Sequence, residues 1–116
     1  MLAAKNRLRN SSDFSRTTKT GHRASSTNLV LYFLRRADLP AEPQLGLIIN
    51  KSIGGSVTRH AIARQLRHSA REQIHTLPAP TQCVVRVLKK SDSYSADLHA
   101  LMAKAVERLG ESDLVK

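Results

Sequence analysis

The stretch GGSVTRHAIARQLRHSARE, residues 54–72, has the clearest chemical pattern in the sequence. Four arginines and two histidines follow a pair of glycines in one short segment. If residues 56–75 form a helix, their basic side chains other than Arg59 share one arc of about 100°. They are His60, Arg64, Arg67, His68, Arg71 and His75. A separate arc of about 120° is apolar. It holds Ile62, Ala63, Leu66, Ala70 and Ile74. The segment therefore predicts a helix with one face for a core and one cationic face.

The cationic face has no acidic neighbour before Glu72. Like charges three or four residues apart weaken an isolated helix by about 0.2–0.5 kcal/mol per pair. A solvated helix face is the simple interpretation, but single-sign charge favours binding of phosphates. Arg59 falls over the apolar arc, so we expect its side chain to extend past the helix end into KSIGG. There Lys51 and the helix N-terminus would favour a phosphate.

No other residues form a catalytic or metal-binding pattern. The five histidines lack companions at ligand spacing, and Cys83 has no neighbouring cysteine or histidine. NKSIGGS does not match a phosphate-binding Walker loop, because its lysine precedes the glycines. Phe14 and Tyr32 are predicted core residues on spacing alone, and base stacking is the functional alternative.

The charge of the whole chain supports a polyanionic partner. Its 116 residues include 19 Lys and Arg against 9 Asp and Glu, a net charge of +10. This favours nucleic acid first and an anionic membrane surface second. The longest apolar run, LVLYFL, is far shorter than the roughly 20 residues of a membrane span. With a single cysteine, the sequence predicts a cytoplasmic protein that does not enter a membrane.

The elements that would position these residues alternate along the chain. Predicted helices cover residues 11–21, about 56–75 and 94–109. Predicted strands cover residues 22–27, 28–36, 45–50 and 83–88. Ser11 or Ser12 would cap the first helix, and Ser56 or Thr58 the second. Residues 28–36 and 45–50 are interpreted as an antiparallel pair.

These elements predict an α+β protein, a small two-layer α/β sandwich of about four strands in a mixed sheet with three helices. The order is α-β-β-β-α-β-α. We divide the chain into a basic, poorly ordered N-terminal arm (1–10), a single domain (11–110) and a frayed tail (111–116).

The succession KNRLR, DF, LVLY and LGLIINKSIGGSVTRHAIARQLR resembles the protein component of bacterial ribonuclease P. The resemblance spans roughly residues 5–109 and is most specific in residues 45–72. The hallmark Arg-Asn-Arg of that family reads Arg59-His60-Ala61 here. The segment RHAIARQLRH is similar to that of members from high-GC Gram-positive bacteria, which indicates a divergent member of the family.

The resemblance implies a left-handed β-α-β crossover and a role as subunit of an endoribonuclease whose RNA does the chemistry with bound Mg²⁺. The expected partners are ribonuclease P RNA and precursor tRNA, with no obligate protein partner evident. The resemblance implies an RNA-subunit surface formed by Lys51, Arg59, His60, Arg64, Arg67 and Arg71, with Arg7 and Arg9 from the arm. It makes Phe14 and Tyr32 the lining of a cleft for the 5′ leader. The alternative is a general RNA-binding or ribosome-associated module without a cleavage role.

Overall fold

Within the described residues, three α-helices and four strands follow one another in the predicted order. The computed structural model describes residues 4–35, 38–39, 42–77 and 80–111. The helices are α1 (Ser11–Thr20), α2 (Ser56–Ala70) and α3 (Ser95–Glu111). The strands are β1 (His22–Ser25), β2 (Leu29–Arg35), β3 (Gln44–Ile48) and β4 (Thr81–Val87). The predicted α+β class and element order are confirmed.

The four strands form one mixed sheet in the order β1-β2-β4-β3. β2 pairs antiparallel with β1 and β4, and β3 pairs parallel with β4. The predicted direct pairing of β2 with β3 is wrong, because β4 lies between them. β4 is buried along nearly its whole length, as suits an inner strand. The parallel β3–β4 pair requires α2 as its crossover, and the handedness of this crossover stays a prediction.

The core lies between one face of the sheet and helices α2 and α3. Alternate strand residues such as Leu31, Phe33 and Val85 pack there against Leu66 and Leu98. These two layers match the expected sandwich. Helix α1 lies on the opposite face, which the sequence analysis had not assigned to any element. That second face is therefore covered only in part.

The ends of two helices differ from their predictions. The cap of α1 is Asn10, whose side chain accepts a hydrogen bond of 2.8 Å from the Ser12 amide, while Gly55 precedes α2 without a side-chain cap. Helix α2 ends at Ala70 and not near His75. The Gln73 amide donates to the Ala70 carbonyl at 3.0 Å, which tightens the chain toward a 3-10 turn.

The segment predicted as a poorly ordered arm packs along the sheet edge from residue 4 onward. The Leu8 amide donates to the Leu45 carbonyl at 2.9 Å, and Leu8 is buried. Buried Asn6 donates to the Pro43 carbonyl at 2.8 Å. Glu111 is the last residue of α3, and residues 1–3 and 112–116 lie outside the described part of the chain.

Candidate nucleic-acid interface

Helix α2 has the two faces that its sequence predicts. Ile62, Ala63, Leu66 and Ala70 are buried, and Ile74 joins the same core from the 3-10 turn that follows. On the other side, the basic face consists of His60, Arg64, Arg67, His68 and Arg71, of which all but half-buried Arg67 are exposed. His75 is exposed but stands on the 3-10 turn, so it does not continue this face. The sheet therefore fixes the direction in which the basic face points.

The Arg59 side chain extends toward the loop before α2, as predicted. Its Nε donates to the Gly54 carbonyl at 3.2 Å, so the guanidinium lies beside the loop before α2. Lys51 is exposed on the short 3-10 turn Lys51–Ile53 of the same loop. The structure brings these two cations to the N-terminal end of the basic face.

The N-terminal segment adds charge to the middle of this face. Arg7 forms an isolated bridge with Leu45 of β3, and this pairing carries Arg7 and Arg9 toward α2. The pKa of Arg67 is lowered, first by burial and then by the positive charges of Arg7 and Arg9. The positive charge of Arg67 is thus repelled by the charges of Arg7 and Arg9, which lie far from it in the sequence.

The basic face borders a pocket, and among the described residues no ion pair joins it to an acidic side chain. A pocket of about 210 Å³ is lined by His60, Ala63, Arg64 and Arg67. In the described part of the chain, Lys5 forms an ion pair with Glu42 and Arg16 forms one with Asp38, and neither pair involves α2. Unneutralised guanidinium groups around a small concavity form a natural phosphate site.

The second face of the sheet carries a partly exposed surface beside α1. We call it the sheet cleft and define it by Phe14, Tyr32 and Arg86. The half-buried ring of Phe14 rests on Gly46, where a Cβ would lie 2.5 Å from its Cε1. In the same row of the sheet, Val84 pairs with Gly46 on one side and Tyr32 on the other. Two strand spacings, about 9–10 Å, separate the Gly46 and Tyr32 positions.

Phe14 and Tyr32 are therefore on one face of the sheet, and both are half-buried. Their half-buried position does not favour the core role that spacing alone predicted for them. The core aromatics are instead Phe33 and Tyr94, which are 0% and 1% exposed. A pair of half-exposed rings on an open sheet face is typical of proteins that stack single-stranded bases.

Arg86 is a functional candidate that the sequence analysis missed. It pairs with Val30 and Ile48 in the row next to Tyr32 and faces the sheet cleft. Its Nε is buried without a hydrogen-bond partner. An arginine in the middle of the apolar strand CVVRVL was the available signal, since charged residues are rarely buried unless paired.

The remaining candidates carry no site. Cys83 is fully buried, and burial raises its thiol pKa to about 12. Over the described ranges, His, Cys, Asp and Glu side chains nowhere gather in threes that could hold a metal ion. Within the same residues, none of the helices is both long and apolar enough to span a bilayer.

The fold and these surfaces define a small RNA-binding protein with a cationic helix and a half-open sheet face. Residues 2–110 match the family model described as Ribonuclease P. The ribonuclease P protein component of Mycobacterium bovis is 38% identical over 115 residues, covering 95% of this chain and 97% of that protein. That of Mycobacterium leprae is 41% identical over 98 residues, covering 83% and 82%. The chain belongs to the family of ribonuclease P protein components, the protein part of an endoribonuclease that processes tRNA.

Solved structures agree on the fold. The RNase P protein of Staphylococcus aureus aligns with a TM-score of 0.67 at 20% identity, covering 91% of this chain and 95% of that one. The protein from Thermotoga maritima aligns with a TM-score of 0.63 at 20% identity, covering 92% and 97%. At this identity the likeness concerns the fold, so the roles of individual residues rest on the geometry given above.

Proposed function

We propose that this protein binds the catalytic RNA of ribonuclease P through the basic face of α2 and holds the 5′ leader of precursor tRNA in the sheet cleft. The observation that carries the proposal is the concentration of cations around Arg67. Burial and the charges of Arg7 and Arg9 lower its pKa, so RNA phosphates would relieve a repulsion built into the fold. Lys51 and Arg59 extend the same surface along the loop before α2.

The sheet cleft supports the leader-binding part of the proposal. Phe14 and Tyr32 supply ring faces on which bases stack, and every base has such a face. Arg86 supplies an unpartnered guanidinium nitrogen in the adjacent row, suited to a leader phosphate. Mature tRNA has no leader, so a cleft of this kind favours the precursor over the product.

In this proposal the RNA subunit performs the hydrolysis. Bound Mg²⁺, held mainly by the RNA, would supply charge stabilisation and an activated water there. The protein neutralises phosphates and positions the leader, which are contributions of binding and orientation. We expect the assembly to work in the cytoplasm, in keeping with a chain whose single cysteine is buried.

Reconstitution tests the proposal. The purified protein is mixed with a bacterial ribonuclease P RNA and a precursor tRNA at low Mg²⁺, and mature 5′ ends should form only when both subunits are present. Phe14→Ala should reduce cleavage of long-leader precursors while leaving affinity for the RNA subunit unchanged. Lys104→Gln is the control, since it removes an exposed positive charge from α3, outside both surfaces.

Two results would overturn it. Tight RNA binding without protein-dependent cleavage would identify a general RNA-binding module instead. Equal losses of leader cleavage and RNA-subunit affinity in Phe14→Ala would mean that the ring serves the core and not the leader.

A further inference from the structure

A groove of about 370 Å³ runs along α2 on the side away from the Arg67 pocket. One wall is apolar and comes from Val57, Ala61 and Ile62 of the first two turns of α2. Val57 is 83% exposed, compared with 43% for Leu88, the other large apolar side chain that is exposed in the described part of the chain. The opposite wall is the segment between β4 and α3, with Lys90 and Asp92 at its rim. The groove therefore combines an apolar wall with a polar rim.

The opposite wall is held in place before any ligand binds. The hydroxyl of buried Tyr94 donates to the Lys89 carbonyl at 2.9 Å and accepts from the Ser91 amide at 2.8 Å. Gln65 of α2 accepts from the Tyr94 amide at 3.2 Å and donates to the Asp92 carbonyl at 3.5 Å. These bonds tie the segment to itself and to α2, so the groove keeps its width without a ligand, as most small-molecule sites do.

The groove adjoins the basic face. On the helical wheel Val57 lies about 20° from Arg64, and Ala61 lies about 20° from His68 on the same side. RNA whose phosphates rest on Arg64 therefore passes over the mouth of the groove. Lys90 adds a cation at the far rim, so the groove has positive charge on two sides.

We propose that this groove takes one unstacked nucleobase of the RNA that α2 binds. A base has apolar faces and a polar edge, which match the Val57–Ala61–Ile62 wall and the rim. The Asp92 carboxylate can accept a base N–H, as acidic side chains do from cytosine. Lys90 can pair with the phosphate of the same nucleotide. The inference rests on the proposed RNA-binding function and adds base contact to a surface otherwise described by phosphates alone.

The direct test is an amide NMR titration of the protein with each of the four nucleoside 5′-monophosphates, with inorganic phosphate at equal ionic strength as control. At least one nucleotide should shift the amides of Ala61, Ile62 and Asp92, while phosphate alone should shift only those around Arg64 and Arg67. If every nucleotide shifts only the amides that phosphate shifts, the groove is not a base site.

Two variants with opposite effects on the groove complete the test. Ala61→Leu narrows it with a good helix former at an exposed position, and Val57→Ser removes its most exposed apolar group. Both should lose the nucleotide-specific shifts and lower affinity for ribonuclease P RNA about five- to a hundredfold, the range expected when the apolar contact of one base is lost. The salt slope of RNA binding should shrink by no more than about 0.7–0.9, the value for the single Lys90–phosphate contact that is lost with the base.

The outcomes separate this inference from the proposed function. Chemical footprinting of the RNA should show one base that is protected by the unaltered protein and not by Ala61→Leu. Unchanged footprints and affinity in both variants would refute the base site while RNA binding and cleavage support stand. Failure of the unaltered protein to bind ribonuclease P RNA at all would overturn both.

Discussion

Replacement of Arg67 by glutamine should change two properties in opposite directions. The free protein should become more stable at low salt, and its affinity for RNA should fall. Arg67 has Arg64 and Arg71 three and four residues away on the same face. The charges of Arg7 and Arg9 act on it from the N-terminal segment. Glutamine keeps a polar side chain of similar reach and removes the charge.

The gain in stability can be estimated from these four neighbours. Each like-charge contact costs about 0.2–0.5 kcal/mol, so their removal returns about 1–2 kcal/mol. Loss of a cation from the last turn of α2 costs about 0.3–1 kcal/mol through the helix dipole. The net gain is then about 0–1.7 kcal/mol with a midpoint near 0.8 kcal/mol, and the midpoint raises Tm by about 3–5 °C for a domain of this size.

The loss of RNA affinity has a separate origin. One charge-assisted hydrogen bond to phosphate contributes about 1.5–3 kcal/mol, so affinity should fall about tenfold to a hundredfold. The slope of log K against log salt should shrink by about 0.7–0.9, the value for one phosphate contact.

Thermal unfolding at about 0.01 M and about 1 M salt measures the first effect, since the screening length falls from about 30 to about 3 Å. RNA binding over the same range measures the second. Arg71→Gln is the matched control for stability, because Arg71 is exposed whereas Arg67 is half-buried, and removal of an exposed charge should gain less. A Tm gain that persists at high salt, or an unchanged salt slope of RNA binding, would refute the assignment of Arg67 to a repulsive phosphate site.

Two further changes test the sheet cleft and the core. Gly46→Ala puts a methyl group against the ring of Phe14, so it should cost about 1–3 kcal/mol of stability. Because the ring is displaced, the preference for long-leader precursors should also fall. An unchanged ratio of long- to short-leader cleavage would refute the stacking role. The pKa of Cys83 rises from 9.0 to about 12 on burial, so the folded state holds a proton that the unfolded state releases between these values. The stability that this bound proton contributes is fully present below pH 9. It is lost as pH rises, by at most about 1.4 kcal/mol per pH unit. Urea unfolding above pH 9 should show a smaller decline with pH for Cys83→Ala than for the unaltered protein, and equal slopes would contradict the burial argument.

The sequence alone predicted those parts of the molecule that depend on local periodicity. Leu66 and Arg64 lie on different faces of α2. Helical periodicity places them there, and this periodicity can be read directly from the sequence. The outward course of Arg59 followed from its conflict with the apolar arc, and the Gly54 hydrogen bond agrees with it. The end of α2 was mispredicted because Ile74 continues the apolar spacing, although a 3-10 turn brings it into the core.

The tertiary structure alone decided which distant residues meet. Pairing of strands is non-local, so the insertion of β4 between β2 and β3 could not be read from the chain. That insertion places Arg86 in the row beside Tyr32 and sets Gly46 beneath Phe14. The docking of residues 4–8 on β3 likewise brings the charge of Arg7 to bear on Arg67. The sequence determined that one helix is cationic. The fold determined which other side chains lie beside the basic face and in the sheet cleft, because contacts between elements depend on packing and not on spacing along the chain.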